Sequence, residues 1–208
     1  MATSRRLHQL PRTPLRVGAD FVVPSTVVRD LRILIDSDAS MRSHVTRTVL
    51  TCFAVLHQLR TIRRSVSRTE IQSLVTSLVL SRLDYGNATL AGIPQHLLRR
   101  PQSMMNAAAR IIYSSSRFDH ITSLLRQLRW LKSKERIDFK LAVLVYKCMH
   151  GTAPPYLADK LGRSADSQAR YRLRSASSSS LVVRRTHLST VGDRSFLVTV
   201  SRIWNGLP

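Results

Sequence analysis

Acidic residues are scarce in this chain of 208 residues: 12 Asp and Glu stand against 33 Lys and Arg, which gives a formal net charge of +21. Lysine is scarce too, because it occurs at five positions and the other 28 basic residues are arginine. Such a chain repels itself and favours a polyanion, and the planar guanidinium binds phosphate oxygens bidentately. Nucleic acid is therefore the expected partner. The alternatives are that G+C-rich coding has raised the arginine content, or that the positive charge binds anionic lipid.

Cysteine is nearly absent, which excludes a disulfide framework. Cys52 and Cys148 each fall among apolar residues at helical spacing, so we expect both to be small core side chains. No C-x-x-C or H-x-x-x-H pair accompanies them, and we predict neither a metal site nor a cofactor. This cysteine usage fits a reducing compartment inside the cell, the nucleus or the cytoplasm.

Long apolar runs are missing as well, and none approaches the roughly 20 residues that span a bilayer. We therefore predict no membrane partner. The first residues lack the apolar centre of a secretory signal. They are rich in arginine and free of acid, which is a faint feature of mitochondrial transit peptides, but Pro11 and Pro14 oppose a long amphipathic helix.

Motifs for catalysis are absent: the chain has neither a G-x-S-x-G nor a G-x-x-x-x-G-K-[ST] segment. Its seven His are scattered, and we expect them on the surface or at helix caps. Asp36 and Asp38 form a close carboxylate pair that could hold Mg²⁺. The favoured interpretation is a turn that closes a strand and caps the next helix, with Ser40 or Ser43 at the cap. We predict no catalytic residue and no enzyme activity.

Periodicity predicts a mainly α fold, a basic helical bundle with a short β-strand remnant on its N-terminal side and flexible tails. The predicted segments are a flexible basic N-terminus (1–20), a strand and turn (21–42), a helical bundle (43–161), a Ser/Arg-rich linker (162–180) and a truncated C-terminal segment (181–208). The strand is expected at the edge of a sheet, because isolated strands are marginal in water.

Apolar stripes predict helices from Ser43, from about Thr69 to Gly86, after Pro94, and from Ser133 to His150. Shorter elements are a piece at 121–128, a strand candidate at 181–183 and a helix around 193–204. Pro101 is expected to kink or restart the third helix. The helix from Ser133 is apolar over most of its surface, so we place it at the centre of the bundle.

Arginine clusters at helix ends and in connections are the candidate nucleic-acid-binding residues, since such positions can face phosphates while the apolar stripes pack together. The predicted set is Arg60, Arg63, Arg64, Arg68, Arg99, Arg100, Arg172 and Arg174. With aromatics at 6%, we do not expect base stacking to dominate, and contact with the backbone without sequence recognition fits better. A merely solvated basic surface is the alternative.

Several ordered segments together resemble the part of LINE-type (non-long-terminal-repeat) retrotransposon polyproteins that follows the reverse transcriptase active site, in the Jockey-like form. They are Val28-Arg-Asp-Leu-Arg-Ile-Leu-Ile-Asp-Ser-Asp-Ala-Ser-Met41, Ser81-Arg-Leu-Asp-Tyr-Gly-Asn87, Leu98-Arg-Arg-Pro-Gln-Ser103, Asn106-Ala-Ala-Ala-Arg110, His150-Gly-Thr-Ala-Pro-Pro-Tyr-Leu157, Arg172-Leu-Arg-Ser175, Val191-Gly-Asp-Arg-Ser-Phe196 and Ser201-Arg-Ile-Trp-Asn205. The resemblance runs from about residue 22 to the end. Each motif alone is weak, and the ordered set is specific.

The resemblance implies that the strand before Asp36 belongs to the end of a polymerase palm and that the helices form a thumb-like region holding template–primer. The implied partner is RNA, DNA or an RNA–DNA hybrid, bound by shape and phosphate. The aromatic-Ala-Asp-Asp motif, the fingers and most of the palm are absent, so no catalytic residue is carried over. Arg32 stands where the family has Gly, and Pro101 where it has Leu, which favours a degraded genomic copy.

The sequence therefore predicts a non-catalytic remnant of an RNA-directed DNA polymerase that binds template–primer through backbone phosphates. A host-adopted helical module that binds a protein partner is the alternative. An active polymerase would require a longer transcript that supplies the missing palm and fingers.

Overall fold

The structure is a computed structural model that describes residues 13–161, 180–188 and 191–207, so Arg172 and Arg174 lie outside the described residues. Its described part is mainly helical, with two short antiparallel strand pairs on the N-terminal side, which confirms the predicted fold class. The strands are β1 (Leu15–Val17), β2 (Asp20–Val22), β3 (Val27–Asp30) and β4 (Ile33–Asp36). The helices are α1 (Arg42–Ile62), α2 (Arg68–Val75), α3 (Ser81–Asp84), α4 (Gln95–Tyr113), α5 (Ile121–Gln127), α6 (Ser133–Met149), α7 (Pro155–Ala158) and α8 (Phe196–Asn205).

The described residues form two compact units. The first is drawn from Met1–Gly86 and Gln95–Leu128, and the second from Asn87–Pro94 and Arg129–Pro208. These units cut across the segment 43–161 that periodicity assigned to one bundle, because the stretch before α4 packs with α6 rather than with its sequence neighbours. Among the described residues, no helix combines the length and apolar character that crossing a bilayer requires.

Two hairpins occupy the region where the sequence predicted a flexible N-terminus followed by one strand. β1 pairs with β2, so residues 15–20 are ordered where the sequence predicted a flexible segment up to residue 20. β3 pairs with β4 through a two-residue turn at Leu31 and Arg32. The expectation of a sheet-edge strand with its partners missing is therefore wrong. The turn escaped detection because it holds neither Gly nor Asn, although both of its residues have positive φ, at 43° and 66°.

The hairpin of β3 and β4 is held against the helices of the first unit. The backbone N–H of Leu34 donates to Nδ1 of His44 in α1 at 3.4 Å. Gly86, just beyond α3, has a φ of +65°, and a Cβ there would lie 2.7 Å from Cδ1 of Ile33. The backbone conformation therefore favours glycine at residue 86, and a larger residue there would also displace the end of the Ile33 side chain.

α1 begins behind the Asp36 turn that the sequence predicted. Oδ2 of Asp36 accepts hydrogen bonds from the hydroxyl of Ser40 and the backbone N–H of Ser43, both at 3.1 Å. Oδ1 of Asp38 accepts from the N–H of Ser40 at 2.9 Å. The turn-and-cap interpretation is confirmed, and Ser40 contributes as predicted, because its hydroxyl accepts from the N–H of Arg42, the first residue of α1, at 3.4 Å. The N-cap position itself is Met41, and the second oxygen that accepts from the start of α1 belongs to Asp36.

The core of the first unit forms where α1 packs against α4 and against α2. Its fully buried side chains are Val45, Cys52, Leu56, Ile71, Val75, Val79, Met104, Met105, Ala108 and Ala109. Cys52 is thus a core residue as predicted, and its thiol donates to the carbonyl of Val79 at 3.7 Å. That carbonyl belongs to a π-helical turn, Thr76–Leu80, which joins α2 to α3 without a break.

The start of α2 and the course of α4 through a proline each have a local explanation. α2 starts with a capping box, in which Ser67 Oγ accepts from the N–H of Glu70 at 3.3 Å and the Glu70 carboxylate accepts from the N–H of Ser67 at 2.9 Å. α4 runs through Pro101 unbroken, so the predicted restart is wrong. The side chain of Pro101 is buried, and its packing offsets part of the missing hydrogen bond to the carbonyl of Leu97.

In the second unit, α6 packs on α8 and on the 3₁₀ turn Asn87–Leu90. α6 ends at Gly151, whose φ is +69°, as the sequence predicted. Only one face of α6 is buried, however, so the prediction that this helix lies at the centre of the bundle is wrong. Leu181 forms a single bridge rather than a strand, and its N–H and C=O bond the side-chain amide of Asn205 at 2.8 and 2.9 Å.

Candidate nucleic-acid interface

The six predicted arginines that the structure describes all belong to the first unit, but they do not lie together on one surface. Arg60, Arg63, Arg64 and Arg68 lie where α1 ends and α2 begins. Arg99 and Arg100 lie in the first half of α4, and Nη1 of Arg100 donates to the hydroxyl of Thr46 at 2.6 Å. Thr46 and Arg60 are about 21 Å apart along α1, at 1.5 Å per residue. The predicted set therefore divides between the two ends of this helix.

A cleft at the C-terminal end of α1, here called the helix-end cleft, is lined by two of the predicted arginines, Arg60 and Arg63. Its cavity of about 780 Å³ is lined by Phe53, Leu56, His57, Arg60, Arg63, Ala107, Arg110, Ile111, Ser114, Ser115, Ser116 and Arg117. Arg110 donates to the carbonyls of Ser116 at 3.2 Å and Arg117 at 3.4 Å, which holds the loop after α4 against the cleft. Among the described residues, the lining contains four guanidinium groups and no carboxylate.

The guanidinium of Arg68, the first residue of α2, stacks on the ring of Tyr113, the last residue of α4. Its Cζ is 3.8 Å from the centroid of the Tyr113 ring. A stacked guanidinium keeps its in-plane N–H groups available to an acceptor, because the ring contacts only its face. Arg60, Arg63, Arg64 and Arg99 form no ion pair with a carboxylate among the residues that the structure describes.

A second basic site, here called the hairpin pocket, lies between the β3–β4 hairpin, α1 and α3, and the sequence analysis missed it. Its cavity of about 430 Å³ is lined by Arg29, Arg32, Leu34, His44, Arg47, Thr48, Thr51, Ser81, Arg82 and Tyr85. Four guanidinium groups reach it from four places: β3, its turn, α1 and α3. No carboxylate lines it, and in the described part none of these four arginines forms an ion pair.

His44 is buried beside this pocket, contrary to the expectation that the histidines lie on the surface or at caps. Burial lowers the pKa of His44, and the nearby Asp36 carboxylate opposes this effect in part. Because Nδ1 accepts from Leu34, the neutral ring carries its proton on Nε2 and keeps that N–H as a donor. The pocket lining thus combines cations, hydroxyl groups and an imidazole.

The hairpin pocket escaped sequence reasoning because its arginines are separated by up to 53 positions, from Arg29 to Arg82. One local signal was present: His44, Arg47, Thr48 and Thr51 follow a spacing of three, four and seven residues. This spacing places them on one flank of α1, beside the buried stripe of Val45, Cys52 and Leu56. Polar residues on one flank of a helix usually indicate only a solvent-exposed surface. The pocket forms because the β3–β4 hairpin packs beside this flank, which the local sequence does not show.

Neither basic site has the character of a metal centre. In the portion of the chain that is described, no three His, Cys, Asp or Glu side chains come together to hold an ion. Cys52 and Cys148 are both buried, and burial raises the pKa of each thiol, so both remain protonated core side chains. The chemistry that both sites offer is therefore anion binding by guanidinium and hydroxyl donors.

Comparison with known proteins adds no assignment, because no family model, no curated protein and no solved structure matches this chain.

Proposed function

We propose that this chain is a non-catalytic remnant of a LINE-type retrotransposon reverse transcriptase, whose thumb-like helical region binds template–primer through backbone phosphates. The ordered motifs between residues 28 and 205 support the family origin. The single observation that carries the binding function is the hairpin pocket, in which four arginines converge without a carboxylate.

Convergence of like charges has an energetic cost that an anion relieves. Two unit charges 4 Å apart repel by about 1 kcal/mol in water and by about 4 kcal/mol near a protein surface. A folded chain that brings Arg29, Arg32, Arg47 and Arg82 to one cavity is stabilised when a phosphate neutralises them. The hydroxyls of Thr48, Thr51 and Ser81 add neutral donors of the kind found around phosphate oxygens.

The arrangement favours backbone contact over base recognition. Both basic sites are built from arginines on helices, a turn and a strand of the first unit, and such groups fix a duplex by its phosphates. An A-form duplex, RNA or RNA–DNA hybrid, hides its major-groove edges and is bound by shape and phosphate. This supports a template–primer hybrid as the ligand of the first unit.

The test compares two double variants of equal net charge. Arg47→Gln with Arg82→Gln removes two cations from the hairpin pocket, and Arg126→Gln with Arg185→Gln removes two exposed cations outside both basic sites. Affinity for an RNA–DNA hybrid is measured by fluorescence anisotropy. The proposal predicts a loss in the pocket variant that clearly exceeds the loss in the matched control. Equal losses would mean that only the overall charge attracts the ligand.

A further inference from the structure

α6 exposes a row of rings on the face opposite its buried stripe. The buried stripe is Ile137, Leu141, Val145 and Cys148. Phe139, Tyr146 and His150 follow one another at steps of seven and four residues, which return to the same side of an α-helix. Phe139 is 61% exposed and Tyr146 55% exposed, so neither ring is part of the core.

The two C-terminal rings already contact each other. The Tyr146 and His150 ring centroids are 4.1 Å apart with their planes at 44°. The backbone N–H of His150 donates to the carbonyl of Tyr146 at 3.1 Å, which keeps His150 within the last helical turn. From Phe139 to His150 the row is about 16 Å long at 1.5 Å per residue. Stacked nucleotides advance about 3.4 Å each, so the row matches roughly four or five of them.

The charge beside this row is positive. Lys140 and Lys147 each follow a ring residue by one position and therefore line the same flank of the helix, and both are exposed. The acidic residues of α6 are Glu135 and Asp138, which lie in the first two turns and pair with Lys132 at 4.0 Å and Lys134 at 3.9 Å. Between residues 139 and 150 there is no Asp or Glu.

We propose that this face of α6, formed by Phe139, Tyr146 and His150 with Lys140 and Lys147 beside them, binds single-stranded nucleic acid by stacking unpaired bases. Aromatic faces accept any base, and a parallel row of cations follows the phosphates. The lysines beside the rings favour a polyanion over an apolar protein helix, and Val143 is the single aliphatic residue in this stripe of the helix. The inference rests on the proposed nucleic-acid function but uses other residues and another form of the ligand.

The experiment replaces rings by aliphatic side chains of similar size in the full chain. Phe139→Leu with Tyr146→Leu removes two rings from the α6 face and leaves its charge unchanged. Phe21→Leu with Tyr156→Leu removes one Phe and one Tyr that are also exposed, at 70% and 68%, but lie elsewhere. Circular dichroism verifies that both variants keep their helices, and light scattering records their oligomeric state.

Affinity is measured for an unstructured pyrimidine 12-mer and for a blunt duplex of the same length at one salt concentration. Stacking on an aromatic ring is worth enough that we expect the α6 variant to bind the 12-mer about tenfold or more weakly. Its affinity for the duplex stays within about twofold of the parent chain, since duplex binding is assigned to the phosphate contacts of the first unit. The control variant binds both ligands as the parent chain does.

Three results would overturn the inference, and they differ from failure of the proposed function. If the α6 variant binds both the 12-mer and the duplex as the parent chain does, base stacking on α6 is rejected and the proposed function is not affected. Conversion of a dimer to a monomer in the α6 variant assigns this face to self-association instead. Absence of binding to both ligands by the parent chain rejects the proposed function together with the inference.

Discussion

The phenolic hydroxyl of Tyr85 donates a hydrogen bond of 2.7 Å to the carbonyl oxygen of Leu31. This contact joins the residue after α3 to the two-residue turn between β3 and β4, across fifty-four positions of the sequence. Because Arg32 and Tyr85 both line the hairpin pocket, the hydrogen bond fixes the turn that carries one of its cations.

Removal of that hydroxyl tests the contact. We expect Tyr85→Phe to lower the free energy of unfolding by about 0.5–1.5 kcal/mol, the usual net contribution of one hydrogen bond. Urea unfolding with an unchanged m-value measures it. Tyr156→Phe serves as the control and should be neutral, because this exposed tyrosine forms no side-chain hydrogen bond within the described part of the chain. A Tyr85→Phe variant as stable as the parent chain would mean that the turn is held by other contacts.

Arg32 has a backbone conformation that L side chains rarely adopt, with φ at 66°. That conformation costs an ordinary residue about 1–2 kcal/mol of folding free energy. Glycine avoids this cost, but its greater freedom in the unfolded chain lowers stability by about 0.5–1 kcal/mol. Arg32→Gly should therefore raise stability by about 0.5–1 kcal/mol. The same change should flatten the salt dependence of hybrid binding by about one unit of slope, because a phosphate contact is lost.

A matched substitution separates the two effects of Arg32. Arg32→Ala removes the charge and keeps the strain, so it should weaken binding to the same degree without the gain in stability. Thermal or urea unfolding and hybrid binding are measured on all three chains. If Arg32→Gly and Arg32→Ala were equally stable, the positive φ would not be a source of strain.

The lowered pKa of His44 predicts a pH dependence of stability. The ordinary histidine pKa is about 6.5, and burial lowers that of His44 in the folded chain. As the pH falls below the ordinary value, the unfolded chain binds a proton at His44 before the folded chain does, so stability decreases. Between pH 7.5 and 5.5 the parent chain should lose more stability than His44→Asn, which keeps an acceptor for the N–H of Leu34. Parallel curves for the two chains would contradict the prediction.

The helices were predictable because their apolar residues recur at helical spacing and their ends have clear signals. Gly151 ends α6 as predicted, and the turn at Asp36 precedes α1 as predicted. The β3–β4 hairpin was not predictable, because Leu31 and Arg32 lack the turn residues that positive φ values favour. Their conformation is imposed by contacts with distant residues, which local propensity does not contain.

The grouping of arginines into the two basic sites could be predicted from the sequence only in part. Arginines at helix ends were expected at the interface, and Arg60 and Arg63 do line the helix-end cleft. Arg29, Arg47 and Arg82 were passed over because each stands alone in the sequence and only the hairpin brings them together. The exposed rings of α6 were interpreted as core because its periodicity is apolar on both faces, and only the packing against α8 decides which face is buried.

The central claim is that arginines of the first unit bind backbone phosphates. The most direct test is the affinity of the parent chain for an RNA–DNA hybrid across a salt series from about 50 to 200 mM, the range in which counterion release is easily measured. With four or more phosphate contacts, the logarithm of the binding constant should fall linearly with that of the salt concentration, at a slope of about −4 or steeper. An affinity that does not change across the series would contradict the account.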